Sequence, residues 1–376
     1  MDLLIRSNCC ICNSSALQDL LVLKDFPIYM GTTLEPISTD VCVDQEWVFC
    51  EDCGCTQLKK LIPLEILYGK QHSAGAVGQI WIDHHSAFAK FIMKEAKKNI
   101  CEIGAAHGEL SRNILDRYPM IDYLVIEPDP GDVHPSARVL RGYVEDYFPE
   151  ISKYSTIVHS HVLEHIYEPA DFLKKVAANM ALGSRMYISF PNITKLLETR
   201  GANSLNFEHT YFLHPDQLVS MIKVYGLKVI KDEHYIEHSF FLCLEKTDET
   251  YFEENEIKSI IGTENLLLEM WEELKDFVAK ANSIITKTEK PTYIFGAHVF
   301  SQALISLGID TKNVKGILDN SLAKNGQRLY GTNLMVFHPD EIANQNSVRV
   351  VLKTSHYQDE IREQLLLINP SVEIIE

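Results

Sequence analysis

The chain has 376 residues, 46% of them hydrophobic, and a formal net charge of −17. Single domains usually run to about 100–200 residues, so this length holds two or three cores rather than one. The acidic balance is spread along the chain, whereas attraction to nucleic-acid phosphates needs clustered Lys and Arg; no nucleic-acid partner is expected.

The start, MDLLIRSNCC, lacks the apolar run of a signal peptide. No window approaches the roughly 18 apolar residues of a membrane span, so a cytoplasmic protein without membrane contact is expected. Residues 1–85 read as irregular, with apolar runs only at Leu20–Leu23 and Trp47–Cys50, and they look unable to hold together unaided. Seven of the nine cysteines fall in the first 55 residues, which points to metal ligation in a reducing compartment rather than a disulfide scaffold. Cys9 and Cys12, then Cys50 and Cys53, are each separated by two residues, a spacing at which a tight turn aims both thiolates at one tetrahedral ion. Four protein ligands leave no open position, so a zinc ion held here is expected to be structural. The 37 residues between the pairs exceed the usual zinc-ribbon gap, and Cys10, Cys42 and Cys55 stand as alternative ligands.

From Ser86 the pattern changes. A helix with apolar Phe88, Phe91, Ile92 and Ala96 precedes a strand at Asn99–Ile103, a helix at Glu109–Tyr118 and a strand at Tyr123–Glu127. Thr156–Ser160 and Arg185–Phe190 read as further strands around a helix at Pro169–Met180. Such alternation predicts an α/β fold, a parallel sheet covered by helices. Residues 264–285 place Leu267, Met270, Trp271, Leu274, Phe277, Val278 and Ala281 near a 3.6 period, which predicts a connecting amphipathic helix ended by Pro291. Tyr293–Phe295, Val314–Leu318 and Val348–Leu352 then read as strands of a second α/β unit. The expected division is a zinc-binding module over 1–85, a catalytic domain over 86–246, a helical connector over 247–290 and a C-terminal domain over 291–376.

After the first strand of the catalytic domain comes Glu102-Ile103-Gly104-Ala105-Ala106-His107-Gly108, an acidic residue and a glycine turn that opens a helix. This geometry brings backbone N–H groups against a bound cofactor. The spacing differs from the dinucleotide Gly-x-Gly-x-x-Gly, and an acidic start suits a cofactor that carries cationic groups and no phosphate. Glu127, at the end of the next strand, can accept hydrogen bonds from two ribose hydroxyls. Glu145 or Asp146 falls where an adenine amino group can be read. A His161-Val162-Leu163-Glu164-His165 segment follows the strand at Thr156–Ser160.

Residues 99–192 resemble a class I S-adenosylmethionine-dependent methyltransferase in this ordered set, and the whole chain resembles the three-domain sugar C-methyltransferases. That likeness extends to Cys9-x-x-Cys12 with Trp47–Leu58, and to Leu318-Asp319-Asn320, Lys324-Asn325-Gly326 and Tyr330-Gly331-Thr332. It implies two Rossmann-like domains behind a zinc module, S-adenosylmethionine as cofactor, and a nucleotide-linked sugar as small-molecule partner, in a monomer or homodimer. It also implies an active site with Glu208 and His209, the histidine as base, His165 near the substrate, and Tyr68 reaching in from the zinc module. An imidazole suits proton removal because its pKa lies near operating pH.

The chain departs from that family in three places. Asn206 stands where a tyrosine usually does. His238-Ser239-Phe240-Phe241 replaces a His-Gly-Gly-Ser segment, and Gly296-Ala297-His298-Val299-Phe300-Ser301 lacks the usual lysine of the C-terminal turn. These changes leave methyl transfer to oxygen or nitrogen, or a non-catalytic cofactor-binding scaffold, as alternatives.

Overall fold

The computed structural model describes residues 2–69, 79–95, 99–248, 263–287 and 289–376. Its central sheet has seven strands in the order Leu227–Tyr235, Ser239–Lys246, Arg185–Pro191, Thr156–Ser160, Asn99–Ile103, Asp122–Glu127, Arg138–Arg141. The five from Arg185–Pro191 onward are parallel, and the hairpin of the first two is antiparallel. Ile100, Cys101 and Ile103, and Tyr123 through Ile126, are all buried, as parallel strands covered on both faces must be. Helices Gln79–Met93 and Glu109–Leu115 cover one face through Phe88, Phe91, Ile92, Leu110 and Ile114, and helix Pro169–Asn179 covers the other through Phe172, Leu173 and Val176. The strand order reverses between Asn99–Ile103 and Thr156–Ser160, and ligands of open α/β sheets bind at such a switch point.

Two expectations from the sequence need correction. Residues 1–85 are not irregular: Leu17–Pro27 pairs antiparallel with Cys42–Cys50, which pairs with Thr56–Leu58. The alternation is blurred by two register shifts, Asp19/Leu21 and Leu23/Phe26, which turn successive apolar residues out of strict two-residue period. The division at 85/86 cuts through helix Gln79–Met93, whose buried face belongs to the central sheet; Ala96 lies outside the described residues. Helix Thr263–Ile285, read as an amphipathic connector, buries its apolar face: Leu267, Met270, Leu274 and Phe277 share one core with Leu23, Phe26 and Trp47, with Leu197 and Leu205, and with Ile294 and Ile317.

The C-terminal unit is a five-stranded sheet in the order Val336–Phe337, Val314–Leu318, Thr292–Phe295, Arg349–Val351, Glu373–Ile375, parallel throughout. It is clamped to the N-terminal module by a buried pair. Arg328 Nη1 and Nη2 each donate to an Asp40 carboxylate oxygen at 2.6 Å, and Asp40 also accepts the Gly331 N–H at 2.7 Å.

Candidate functional site

The four expected thiols meet. Sγ of Cys9 lies 3.5 Å from that of Cys53 and Sγ of Cys12 lies 3.6 Å from that of Cys50, and all four sulfurs fall within 4.8 Å of one another. Each knuckle is a tight turn: Asn13 N–H donates to Cys9 O, Gly54 N–H to Cys50 O, and Ile11 N–H reaches Cys9 Sγ at 3.4 Å. The long gap between the pairs is the length of the strand pair Leu17–Pro27 and Cys42–Cys50, so the knuckles close the same end of one hairpin. Cys42 sits at the opposite end of its strand, whereas Cys10 and Cys55 are buried beside the cluster. Hydrogen bonding with the Cys12 thiol holds Cys9 below its ordinary pKa and pushes Cys53 above it, as expected of sulfurs that share protons at close range. Four soft donors edge to edge at this separation fit a tetrahedral zinc ion with Zn–S bonds of about 2.3 Å.

At the switch point the glycines are required by geometry. Gly104 has φ +74°, and a Cβ there would come within 2.4 Å of Val162. Gly108 has φ +76° and precedes helix Glu109–Leu115; a Cβ there would meet the Asp132 carbonyl oxygen and Val133 Cα at 2.6 Å. Glu127 lies across the turn and accepts the N–H of Ala106 at 3.1 Å and of Asp129 at 3.0 Å. Glu145 and Asp146 are exposed in a short 3-10 turn beyond the strand Arg138–Arg141. Glu102, expected to face a cofactor, is buried beneath the turn, where Tyr123 donates to it at 2.8 Å. Burial raises its carboxyl to about 8, against the opposing pull of that hydrogen bond.

The catalytic candidates converge from three parts of the chain. His165 closes a 3-10 turn after the strand Thr156–Ser160, and its Nδ1 lies 2.8 Å from Tyr68 Oη of the N-terminal module. The ring of His209 stands 5.0 Å from that of His165, centre to centre, and Glu164, His165 and His209 each bring a ligand-type atom within 4.8 Å of the others. Burial lowers His165 to about 4, helped by His209, and keeps the Tyr68 phenol well above its usual value, helped by Glu208. A protonated phenol and a neutral imidazole therefore share this hydrogen bond, its direction set by the tautomer of His165.

What holds His209 in place was not visible in the motif. Asn206 Oδ1 accepts the N–H of Glu208 at 2.8 Å and of His209 at 2.7 Å, an Asx turn that fixes the backbone of the pair. Downstream, Tyr211–Phe212 adds a fourth strand to the N-terminal sheet, with Tyr211 opposite Gln57 and Phe212 opposite Thr56. Buried Arg6 donates to Thr210 O at 2.8 Å. The N-terminal module thus fixes the segment that directly follows His209.

The C-terminal unit also reaches this site. His298 follows the glycine turn after Thr292–Phe295 and is lowered to about 4, first by burial, then by Lys324, with Glu208 and Asp319 opposing. Lys324 Nζ lies 3.0 Å from Asp319, which accepts the Ala297 N–H of that turn at 2.8 Å. Asp319 thus joins Lys324 to the turn.

Residues 77–232 match a family model described as a methyltransferase domain. Human N-acetylserotonin methyltransferase in complex with S-adenosylmethionine aligns at 12% identity over 45% of this chain and 53% of its own, with a TM-score of 0.38. Mitomycin 7-O-methyltransferase aligns at 15% over 45% and 55%, TM-score 0.35, and the N,N-8-amino-8-demethyl-D-riboflavin dimethyltransferase of Streptomyces davawensis at 15% over 44% and 56%, TM-score 0.36. The chain spans little more than half the length of these structures, and likeness of this degree says nothing about the acceptor. No curated protein sequence is significantly similar to the chain. No helix among the described residues is long and apolar enough to cross a membrane. Over residues 77–232 the chain is thus similar to a methyltransferase domain.

Proposed function

We propose that the protein transfers a methyl group from S-adenosylmethionine to a nucleotide-linked sugar, with His209 as the base. The observation that carries this reading is the placement of His209. It stands beside His165 at the carboxyl ends of the strands, in a loop whose backbone is fixed by Asn206. In this reading the cofactor lies against Gly104 and Gly108, with Glu127 on its ribose, Glu145 or Asp146 near its adenine, and Glu102 acting from beneath the turn. Glu127 would exchange the Ala106 and Asp129 N–H groups for ribose hydroxyls. The bound cofactor supplies an electrophilic methyl group. The chain's residues orient the acceptor and take its proton.

Glu208 orients His209, and Tyr68 holds His165 through Nδ1; in the tautomer protonated at Nε2, His165 presents that proton as a hydrogen-bond donor to the acceptor. His298, which feels the charges of both Lys324 and Glu208, would with Lys324 meet an anionic anchor of the acceptor. The cysteine cluster holds a structural zinc whose role is to keep the N-terminal sheet, and through it Tyr211 and His209, in register.

Transfer to oxygen is the second reading, favoured by Asn206: the loop offers no phenol to polarise a ketone, which carbon transfer needs. Calorimetric titration with S-adenosylhomocysteine, then with nucleotide-linked keto and hydroxy sugars, tests the proposal. Micromolar binding of the cofactor product followed by binding of a sugar nucleotide supports it, and no cofactor binding overturns it. Exchange of the acceptor's alpha proton with solvent in the absence of methyl donor marks carbon transfer. Replacing His209→Asn should abolish both exchange and turnover while leaving cofactor affinity unchanged.

A further inference from the structure

Glu164 has a second neighbour besides the His165 and His209 pair. Its Oε1 lies 3.0 Å from Nδ1 of His161, and His161 belongs to a different histidine group. His84, His161 and His238 each offer one ring nitrogen, and the three nitrogens lie within 4.8 Å of one another. They arrive from separate elements: helix Gln79–Met93, the turn after Thr156–Ser160, and the hairpin turn between Tyr235 and Ser239. The ring centres are 5.0 Å (His84–His161), 5.4 Å (His84–His238) and 5.5 Å (His161–His238) apart. Imidazoles bound to one tetrahedral ion at about 2.0–2.1 Å have ring centres about 5 Å apart, so the three rings already stand at the spacing an ion would impose.

The surroundings of the rings match what metal-binding histidines need. The Glu164 carboxylate lies beside Nδ1 of His161 as a buried negative charge, and neither of its oxygens has a hydrogen-bond partner among the described residues, so a cation held by the rings would meet an uncompensated anion. Ser189 Oγ lies 2.8 Å from Nε2 of His84, while Nδ1 of His84 is buried without a hydrogen-bond partner and remains its unused donor. A buried polar atom left unpaired is costly, and a bound ion would remove that cost. Nε2 of His161 and Nδ1 of His238 converge on one hydroxyl, Ser239 Oγ, at 2.9 and 2.6 Å. His161 itself is held at φ +53°, a left-handed value rare for a residue with a Cβ, and its N–H donates to Ser189 O at 2.8 Å. The Trp81 ring packs edge-on against His161 and His238 at 4.7 and 4.8 Å and walls the group from solvent.

We propose that His84, His161 and His238 form a second metal site, for a divalent ion that prefers imidazole, Zn2+, Co2+ or Ni2+ rather than Mg2+ or Ca2+. Three protein nitrogens leave a position for an oxygen, from Ser239 or from water, which distinguishes this site from the closed cysteine cluster. Binding of the ion does not depend on which acceptor the enzyme methylates.

The test is metal stoichiometry of the full chain. The protein is incubated with excess Zn2+ or Co2+, desalted, and analysed for metal. Two ions per chain are expected for the wild type and one for the His84→Gln/His238→Gln variant, with circular dichroism confirming that the variant is folded. The Co2+ form adds a readout that needs no variant. The cysteine site gives an intense thiolate-to-metal band, and the histidine site adds weaker visible bands that appear with the second equivalent. Should the double variant not fold, His238→Gln alone, on the hairpin turn, serves in its place. One ion per wild-type chain, with thiolate bands only, overturns the proposal, as does a folded variant that still holds two.

Discussion

Tyr68 Oη lies 2.8 Å from Nδ1 of His165, so a phenol from the N-terminal module fixes a ring on the central sheet. The bond is intramolecular but spans two units of the chain. Replacing Tyr68→Phe removes the hydroxyl and leaves a buried imidazole nitrogen unmet. A fall in kcat of roughly tenfold or more is expected, with the affinity for S-adenosylhomocysteine within about twofold of wild type. Turnover and calorimetry on the same preparation check it. A large loss of cofactor affinity would show that Tyr68 closes the cofactor site instead.

Asn206 is the second case of a residue acting through another. Its Oδ1 accepts the N–H groups of both Glu208 and His209, so Asn206→Ala frees two amides and lets the loop choose other conformations. A stability loss of about 1–2 kcal/mol and a drop in kcat are expected. Asn206→Asp keeps the acceptor oxygen and should recover much of both. Urea unfolding and steady-state kinetics on the two variants check this, and an aspartate variant no better than the alanine would overturn the role of Oδ1 as the acceptor.

The parallel strands were legible in the sequence because each is a short apolar run bounded by polar or glycine turns, and burial on both faces leaves that run uninterrupted, as in Tyr123–Ile126. The paired cysteines and glycines were legible because their chemistry fixes their spacing. The N-terminal strands were not, since two register shifts in Leu17–Pro27 break the alternation that would have marked them. Helix Thr263–Ile285 showed its period but not its partners: amphipathicity says that a face is buried, not that three units bury it together. His84 and His238 were illegible as a pair, 154 positions apart in a chain with 15 histidines, because only the fold brings them beside His161.

Glu102 makes stability depend on pH in a predictable direction. Its carboxyl titrates at 4.5 when exposed and is raised to about 8 by burial in the fold. Between those values the folded state binds more protons than the unfolded one, so this contribution is fully present below pH 4.5 and is lost as pH rises through about 8. Buried histidines such as His165, lowered from 6.5 to about 4, act in the opposite sense, with stability gained as pH rises from about 4 to 6.5. The comparison must therefore be made between variants. Glu102→Gln, which cannot ionise, should lose less stability than wild type between pH 5.5 and pH 8 in urea unfolding, and equal slopes would refute the assignment.

On the proposed reading of the cysteine cluster as a zinc site, the metal should control the proposed active site although it touches no reactant. Cys53 belongs to the metal knuckle, and Gln217 of the catalytic domain donates to its carbonyl at 3.0 Å, while Tyr211–Phe212 pairs with the strand that leaves the knuckle. Removing the ion takes away the energy that closes this sheet. Cys53→Ser, or exhaustive chelation in mild denaturant, is expected to release one zinc per chain from the cysteine cluster and to lower Tm by on the order of 5 °C or more. Turnover should fall with it, because the segment that carries His209 ends in the strand that the sheet holds. Zinc release followed by a chromogenic chelator, with activity measured in parallel, decides the point. Full activity after loss of the cysteine-bound zinc would mean that the strand pairing persists without the metal, and that the module is held by its hydrophobic core alone.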